Sequence, residues 1–185
     1  MLYSTYSFEE QPVEQTEPVR LHLGSGSVRL EGFLNVDALD LPEVDLIWNF
    51  TPRMNWDEHL SPYPGHLPWR DETVDEIVAR HIIEHFSYHH ASDVLKDWMR
   101  VLKPGGRIEV ATPDLGQIIT DAYKGELNYL RTIQLLFAGQ TTPYNYHFNA
   151  IDEPWLTGQL LANGAKRLKR MCPLEPYELR MEAWK

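Results

Sequence analysis

From Val19 onward the chain reads as short apolar runs alternating with longer stretches whose apolar positions recur every three or four residues. The short runs are rich in Val, Ile and Leu and bounded by Gly, Pro, Asp or Asn. They predict strands near 19–23, 33–37, 44–49, 74–80 and 106–112. Helical spacing is clearest in Ala91, Val94, Leu95, Trp98, Val101 and Leu102, which share one face, and Pro104-Gly105-Gly106 stops that pattern. A second helical pattern, Leu127, Leu130, Ile133, Gln134 and Phe137, follows the fifth strand. Residues 155–162 predict a last helix, and 166–171 and 177–184 the last two strands. Parallel strands need crossovers long enough to hold a helix, so this alternation implies an α/β domain around a mostly parallel sheet. No internal repeat is present.

Two segments stand outside this rhythm. Residues 1–18 mix Glu9, Glu10, Glu14 and Glu17 with Ser, Thr, Gln and two prolines and show no sustained period. They read as an arm preceding a single domain at 19–185, with Tyr3, Tyr6 and Phe8 expected to dock on the body. Between Thr51 and His66, Pro52, Pro62, Pro64 and Gly65 mark a loop, either a plain surface loop or part of a ligand wall.

Composition narrows the function classes. A length of 185 residues with 43% apolar content suits one globular domain that buries roughly 70% of its surface. No apolar run approaches a membrane span, and the first residues lack the charged start and apolar core of a secretory signal. Cys172 is the single cysteine, so no internal disulfide forms, and a reducing, cytoplasmic setting is expected. A net charge of -10 repels a phosphate backbone and argues against a nucleic-acid acceptor. Lys166, Arg167, Lys169 and Arg170 form a local basic cluster that reads first as a solvated strand end.

The first chemical signal is Leu21-His22-Leu23-Gly24-Ser25-Gly26-Ser27, followed by the acid of Phe33-Leu34-Asn35-Val36-Asp37. A strand ending in near-adjacent glycines lets backbone amides approach a ligand, and a second strand then delivers one carboxylate. A nicotinamide site would carry a third glycine and an acid about 20 residues on. Here Arg29 holds the third position and the acid comes early, which suits a nucleoside without a pyrophosphate.

Further along stand Leu67-Pro68-Trp69-Arg70-Asp71, then His81-Ile82-Ile83-Glu84-His85-Phe86 after the strand beginning at Val74, then Arg100-Val101-Leu102-Lys103-Pro104-Gly105-Gly106. With these in order over residues 19–113, the chain resembles the class I S-adenosylmethionine-dependent methyltransferases, in particular the small type 11-like group. The resemblance implies a Rossmann-like, seven-stranded, mostly parallel sheet with helices on both faces, order 3-2-1-4-5-7-6 and the last strand antiparallel. It also implies S-adenosylmethionine as cofactor, S-adenosylhomocysteine as product, and a small acceptor such as an oxygen on a sugar or related metabolite. By position, Gly24, Ser25 and Gly26 become the loop at the methionine end and Asp37 the ribose acid. Asn49 stands where many relatives place an acid near the adenine, Leu67 is expected to line the adenine pocket, and His81 to border cofactor and acceptor. A side chain at Gly24 is expected to block the cofactor while leaving the fold intact.

Three histidines carry the catalytic expectations. His81, directly after the fourth strand, and His85, one turn on, are candidate bases, since an imidazole titrates near neutral pH. His147, within Tyr144-Asn145-Tyr146-His147-Phe148, resembles a histidine between a substrate lid and the final helix, with Asp114 as a polar neighbour. The same stretch spells His-x-x-Glu-His, the inverted zinc-hydrolase signature, and His89 continues the spacing. That signature needs a helix, whereas 75–80 reads as a strand running into His81, so no metal is expected and Glu84 orients a histidine. Trp48, Trp56 and Trp69 read as core or wall. The alternatives to methyl transfer are a non-catalytic binding module of the same fold and, behind it, a zinc-dependent hydrolase through His81, Glu84 and His85.

Overall fold

The structure, a computed structural model, describes residues 17–49, 66–142 and 144–185. The aromatics expected to dock from the arm, Trp56 and the proline-rich stretch at 51–65 lie outside the described residues. Seven strands form one sheet: β1 Arg20–Leu23, β2 Leu34–Asp37, β3 Leu46–Ile47, β4 Val74–Arg80, β5 Leu102–Pro113, β6 Arg167–Arg170 and β7 Glu178–Trp184. Their order is β3-β2-β1-β4-β5-β7-β6. The first five pair in parallel, and β7 runs antiparallel to both β5 and β6.

Register sorts the side chains onto two unlike faces. Leu21, Ile77, Ile108 and Ala183 stand side by side across four strands, and Leu23, Ala79, Val110 and Met181 form the next row. These residues join one core with Val94, Leu95, Trp98 and Val101 of helix α1 (Ala91–Val101) and Leu156 and Leu160 of helix α4 (Glu153–Ala162). Ser92 ties the two helices by donating to Gln159 Oε1 at 2.6 Å. The opposite face is ionic. Arg80 and Arg180 converge on Glu109 at 2.6 and 2.9 Å, and Arg107 pairs with both Glu76 and Glu182. Glu109 is 2% exposed, and its two guanidinium partners outweigh burial and hold its carboxyl below the usual range.

Several elements differ from expectation. The third strand is confined to Leu46 and Ile47, although the flanking amides of Asp45 and Trp48 still donate to the Asn35 and Asp37 carbonyls of β2, at 2.8 and 2.7 Å. β5 begins at Leu102 because residues 103–106 bulge against Asp75: the register jumps from Val74↔Leu102 to Glu76↔Arg107. A side chain at Gly106 would meet the carbonyls of Lys103 and Asp75 at 2.9 and 3.1 Å, so only glycine fits there. Helix α2, Leu115–Lys124, was not expected. Its apolar face is thin, with only Ile118 buried, but Asp114 caps it by accepting from the Gln117 amide. Helix α3 begins at Tyr129 rather than 127 because Asn128 caps it in the same way. The links β1–β2 and β2–β3 contain turns and no helix, so the carboxyl ends of β1 and β2 are approached through loops.

Candidate functional site

The glycine turn leaves β1 and is laced onto the end of β2. The amides of Gly24 and Ser25 both donate to the Val36 carbonyl, at 2.9 and 3.2 Å. Asp37 then takes the Gly26 amide on Oδ2 at 2.8 Å and the Leu39 amide on Oδ1 at 2.9 Å. Each carboxylate oxygen has two acceptor directions, so one on each remains for an outside donor. Beneath this, fully buried Asn35 fixes the strand: its Oδ1 accepts from His22 Nδ1 and the Leu30 amide, and its Nδ2 reaches Asp45 and the Phe33 carbonyl. Burial pushes the His22 imidazole down, so this support stays uncharged near neutrality.

The two glycines have different duties. Both are left-handed, with φ of +66° at Gly24 and +53° at Gly26. A Cβ on Gly24 would lie 2.7 Å from Ile82, inside the core, so close packing by itself already requires glycine there. This corrects the expectation that a side chain there would block only the cofactor. A Cβ on Gly26 would meet nothing within 4 Å. Ser25 between them is 3% exposed, and its Oγ has no hydrogen-bond partner. An open glycine, an orphaned buried hydroxyl and a half-used carboxylate at one strand end fit the amino-acid and ribose parts of a nucleoside cofactor.

Asn49 is exposed two residues past β3, near the strand end where it is expected. Other expected contacts fall differently. Leu67 is 2% exposed in the core; its amide donates to Asp97 at 2.6 Å and its carbonyl accepts from Arg100, so α1 holds it as a packing residue rather than an adenine wall. Trp48 and Trp69 pack against the core, as expected for wall residues. Asp114 spends its oxygens on the α2 cap and on Arg170 at 2.8 Å. In the basic cluster, Arg170 is thereby paired and Arg167 lies 3.7 Å over the Trp184 ring, so the cluster is a strand end and not an open patch.

At the end of β4 the chain turns through His81, a non-glycine residue with φ +52°. Its Nε2 donates to Glu178 Oε1 at 3.2 Å, and its Nδ1 lies 3.3 Å from Glu84 Oε1. The Glu84 carboxylate, assisted by Glu178, outweighs burial and raises the imidazole to about 9. His81 is therefore a cation at neutral pH, which corrects its expected role as a base. Glu84, 1% exposed, is the hub. Burial alone would raise its carboxyl, but His81 holds it below the ordinary value. Its Oε2 accepts from Thr112 Oγ1 at 3.1 Å, and its carbonyl accepts the amides of Phe148 and Asn149.

Those amides dock the 144–149 segment onto the 3-10 turn Ile83–His85 and bring in His147. His85 donates from Nδ1 to the Tyr146 carbonyl at 2.9 Å, His147 from Nδ1 to the Leu135 carbonyl at 3.2 Å. Their rings meet edge to face, centroids 5.0 Å apart. His147 is pushed down by burial and is neutral, so its Nε2 carries a lone pair, 3.9 Å from Glu84 Oε1. Glu84 and His147 also line a small cavity, about 10 Å³, with Thr112, Leu135, Leu136 and Ile151. The 3-10 turn is too short for the helical zinc-hydrolase geometry, and His89 is exposed beyond it. Glu178 and Thr112 escaped sequence reasoning, because each joins the site only through strand register.

Residues 64–110 match a family model described as Methyltransferase domain. Among solved structures, a S-adenosylmethionine-dependent methyltransferase from Archaeoglobus fulgidus superposes with a TM-score of 0.57 at 11% identity, covering 91% of this chain and 86% of that one. Its counterpart from Methanosarcina mazei gives 0.55 at 16% identity, covering 91% and 93%. The 1,6-didemethyltoxoflavin-N1-methyltransferase of Burkholderia thailandensis, solved with 1,6-didemethyltoxoflavin and S-adenosylhomocysteine, gives 0.51 at 15%, covering 91% and 72%. No curated protein is significantly similar in sequence. The shared fold includes the strand order expected for this class, with the glycine turn and the histidines at the carboxyl ends of the parallel strands.

Proposed function

We propose that the chain, of which residues 64–110 match a family model described as Methyltransferase domain and whose fold resembles S-adenosylmethionine-dependent methyltransferases, transfers a methyl group to a small acceptor at the carboxyl ends of β1, β2 and β4. The observation that carries the assignment of the cofactor end is the glycine turn: open space at Gly26, the unpartnered Ser25 hydroxyl and spare acceptor directions on Asp37 lie within one short stretch. The cofactor, when bound, supplies an electrophilic methyl on a sulfonium. Ser25 and the Gly26 region hold its amino-acid end, and Asp37 accepts from its ribose hydroxyls.

The transfer is an in-line displacement, in which the protein mainly aligns the reactants and excludes water. His147, kept neutral by burial, offers its Nε2 as the proton acceptor for an acceptor hydroxyl. The acceptor class is a sugar or related metabolite, in keeping with the acidic chain. A single exposed Cys172 fits a cytoplasmic setting, and among the described residues no helix is long and apolar enough to cross a membrane. Native mass spectrometry of the full chain with S-adenosylmethionine tests the reading: one bound equivalent is expected, and its absence at millimolar cofactor overturns it.

A further inference from the structure

We propose that Glu84, His85 and His147 form a site for one divalent transition-metal ion of the zinc type. One carboxylate oxygen and one ring nitrogen from each histidine lie within 4.8 Å of one another. Three points so spaced leave a centre no more than about 2.8 Å from each, so closing onto bond lengths of roughly 2.1 Å takes shifts of under an ångström. The residues come from two segments already fastened together, since the Phe148 and Asn149 amides sit on the Glu84 carbonyl.

Two independent features point to a ligand there. Glu84 is 1% exposed, and its Oε1 accepts no hydrogen bond, with only the ion pair to His81 Nδ1 at 3.3 Å and the more distant His147 Nε2 at 3.9 Å beside it. A buried carboxylate oxygen left this way is costly unless something fills it. Both histidines, moreover, donate Nδ1–H to a backbone carbonyl, Tyr146 for His85 and Leu135 for His147. That pattern fixes the tautomer and orients Nε2 as the ligating atom, as carbonyl partners do around bound metals. Two imidazoles and a carboxylate suit zinc and its first-row neighbours rather than magnesium or calcium. The site differs from the His81–His85 pairing that the linear motif suggests: His81 faces Glu178 instead, and His147 supplies the third ligand.

A bound ion would occupy the His147 lone pair, so proton acceptance by His147 belongs to the metal-free protein. The inference does not rest on methyl transfer, because metal and cofactor binding are measured separately. The full chain, stripped with chelator and dialysed, is titrated with Co²⁺ and followed by its visible absorption, then challenged with Zn²⁺. The expected result is one equivalent per chain, displaced by Zn²⁺, with at least a tenfold loss of affinity in Glu84→Gln and in His147→Ala. His89→Ala should bind like the wild type. Absence of a cobalt spectrum, or binding unchanged in both site variants, overturns the proposal. Should the variants fail to fold, X-ray absorption of the zinc-loaded wild type decides: two imidazole ligands support the site, and none overturns it.

Discussion

At the ends of β1 and β2 the glycine turn is fastened by its neighbours Val36 and Asp37, whereas at the end of β4 the histidines are held by Glu178, Thr112, Tyr146 and Leu135, drawn from distant elements. The first region is a short-range device, complete once two adjacent parallel strands pair. The second exists only when β5, β7 and the 144–149 segment are all in place. A ligand seat of the first kind should tolerate damage elsewhere, while the histidine cluster should report on the integrity of the whole domain.

The sharpest way to break this contrast is at the paired glycines. Gly24→Val drives a branched side chain into Ile82 on left-handed backbone, and should cost about 2–5 kcal/mol, with a melting temperature lowered by roughly 10 °C. Gly26→Val meets no protein atom and should fold with a backbone penalty of about 1–2 kcal/mol. Its cofactor affinity should nonetheless fall at least roughly a hundredfold, about 2.7 kcal/mol. Thermal melts and calorimetry on the two variants check both halves. A Gly26→Val protein with wild-type affinity would mean that the turn does not face the ligand.

Glu84 probes the other region. Glu84→Ala removes the partner of His81 and the acceptor of Thr112, and should destabilise the domain by about 2 kcal/mol, a figure held down because His81 is 39% exposed. Denaturant unfolding measures this. Cofactor affinity should stay within about threefold of wild type; a larger fall would merge the two regions into one.

A gentler effect comes from the clamp under the end of β4. Glu109, between Arg80 and Arg180, has its carboxyl lowered in the folded state, so its contribution is fully present above its ordinary value of 4.5. It is lost as pH falls through the lowered value. Glu109→Gln should therefore flatten the acid side of the stability profile, read by denaturant midpoints from pH 6 to pH 3, and leave the neutral-to-alkaline side parallel to wild type.

What could be read from the chain follows the same division. Gly24, Gly26 and Asp37 form a spacing motif within one β-loop-β unit, and the strand order was implied by the family resemblance that the motifs carry. Apolar periodicity marked α1 because its buried residues fall on one face, but could not mark α2, of which only Ile118 is buried. Direction was the harder problem. No pattern says that a Gly24 side chain would point into Ile82, that Leu67 turns into the core, or that Asp114 is spent on a helix cap and Arg170. The charge on His81 was half legible: Glu84, its main cause, stands three residues on, but Glu178 reaches it only through the antiparallel pairing of β7 with β5.

The central claim, that the turn after β1 and the acid of β2 seat the nucleoside cofactor, is tested most directly by calorimetric titration of S-adenosylhomocysteine into the wild type and Asp37→Ala. Asp37 offers one free acceptor direction on each oxygen, and loss of charge-assisted hydrogen bonds costs about 1.5–3 kcal/mol. The wild type should bind one equivalent and the variant more than tenfold more weakly, with its fold confirmed by circular dichroism. Equal affinity in the two folded proteins would contradict the account.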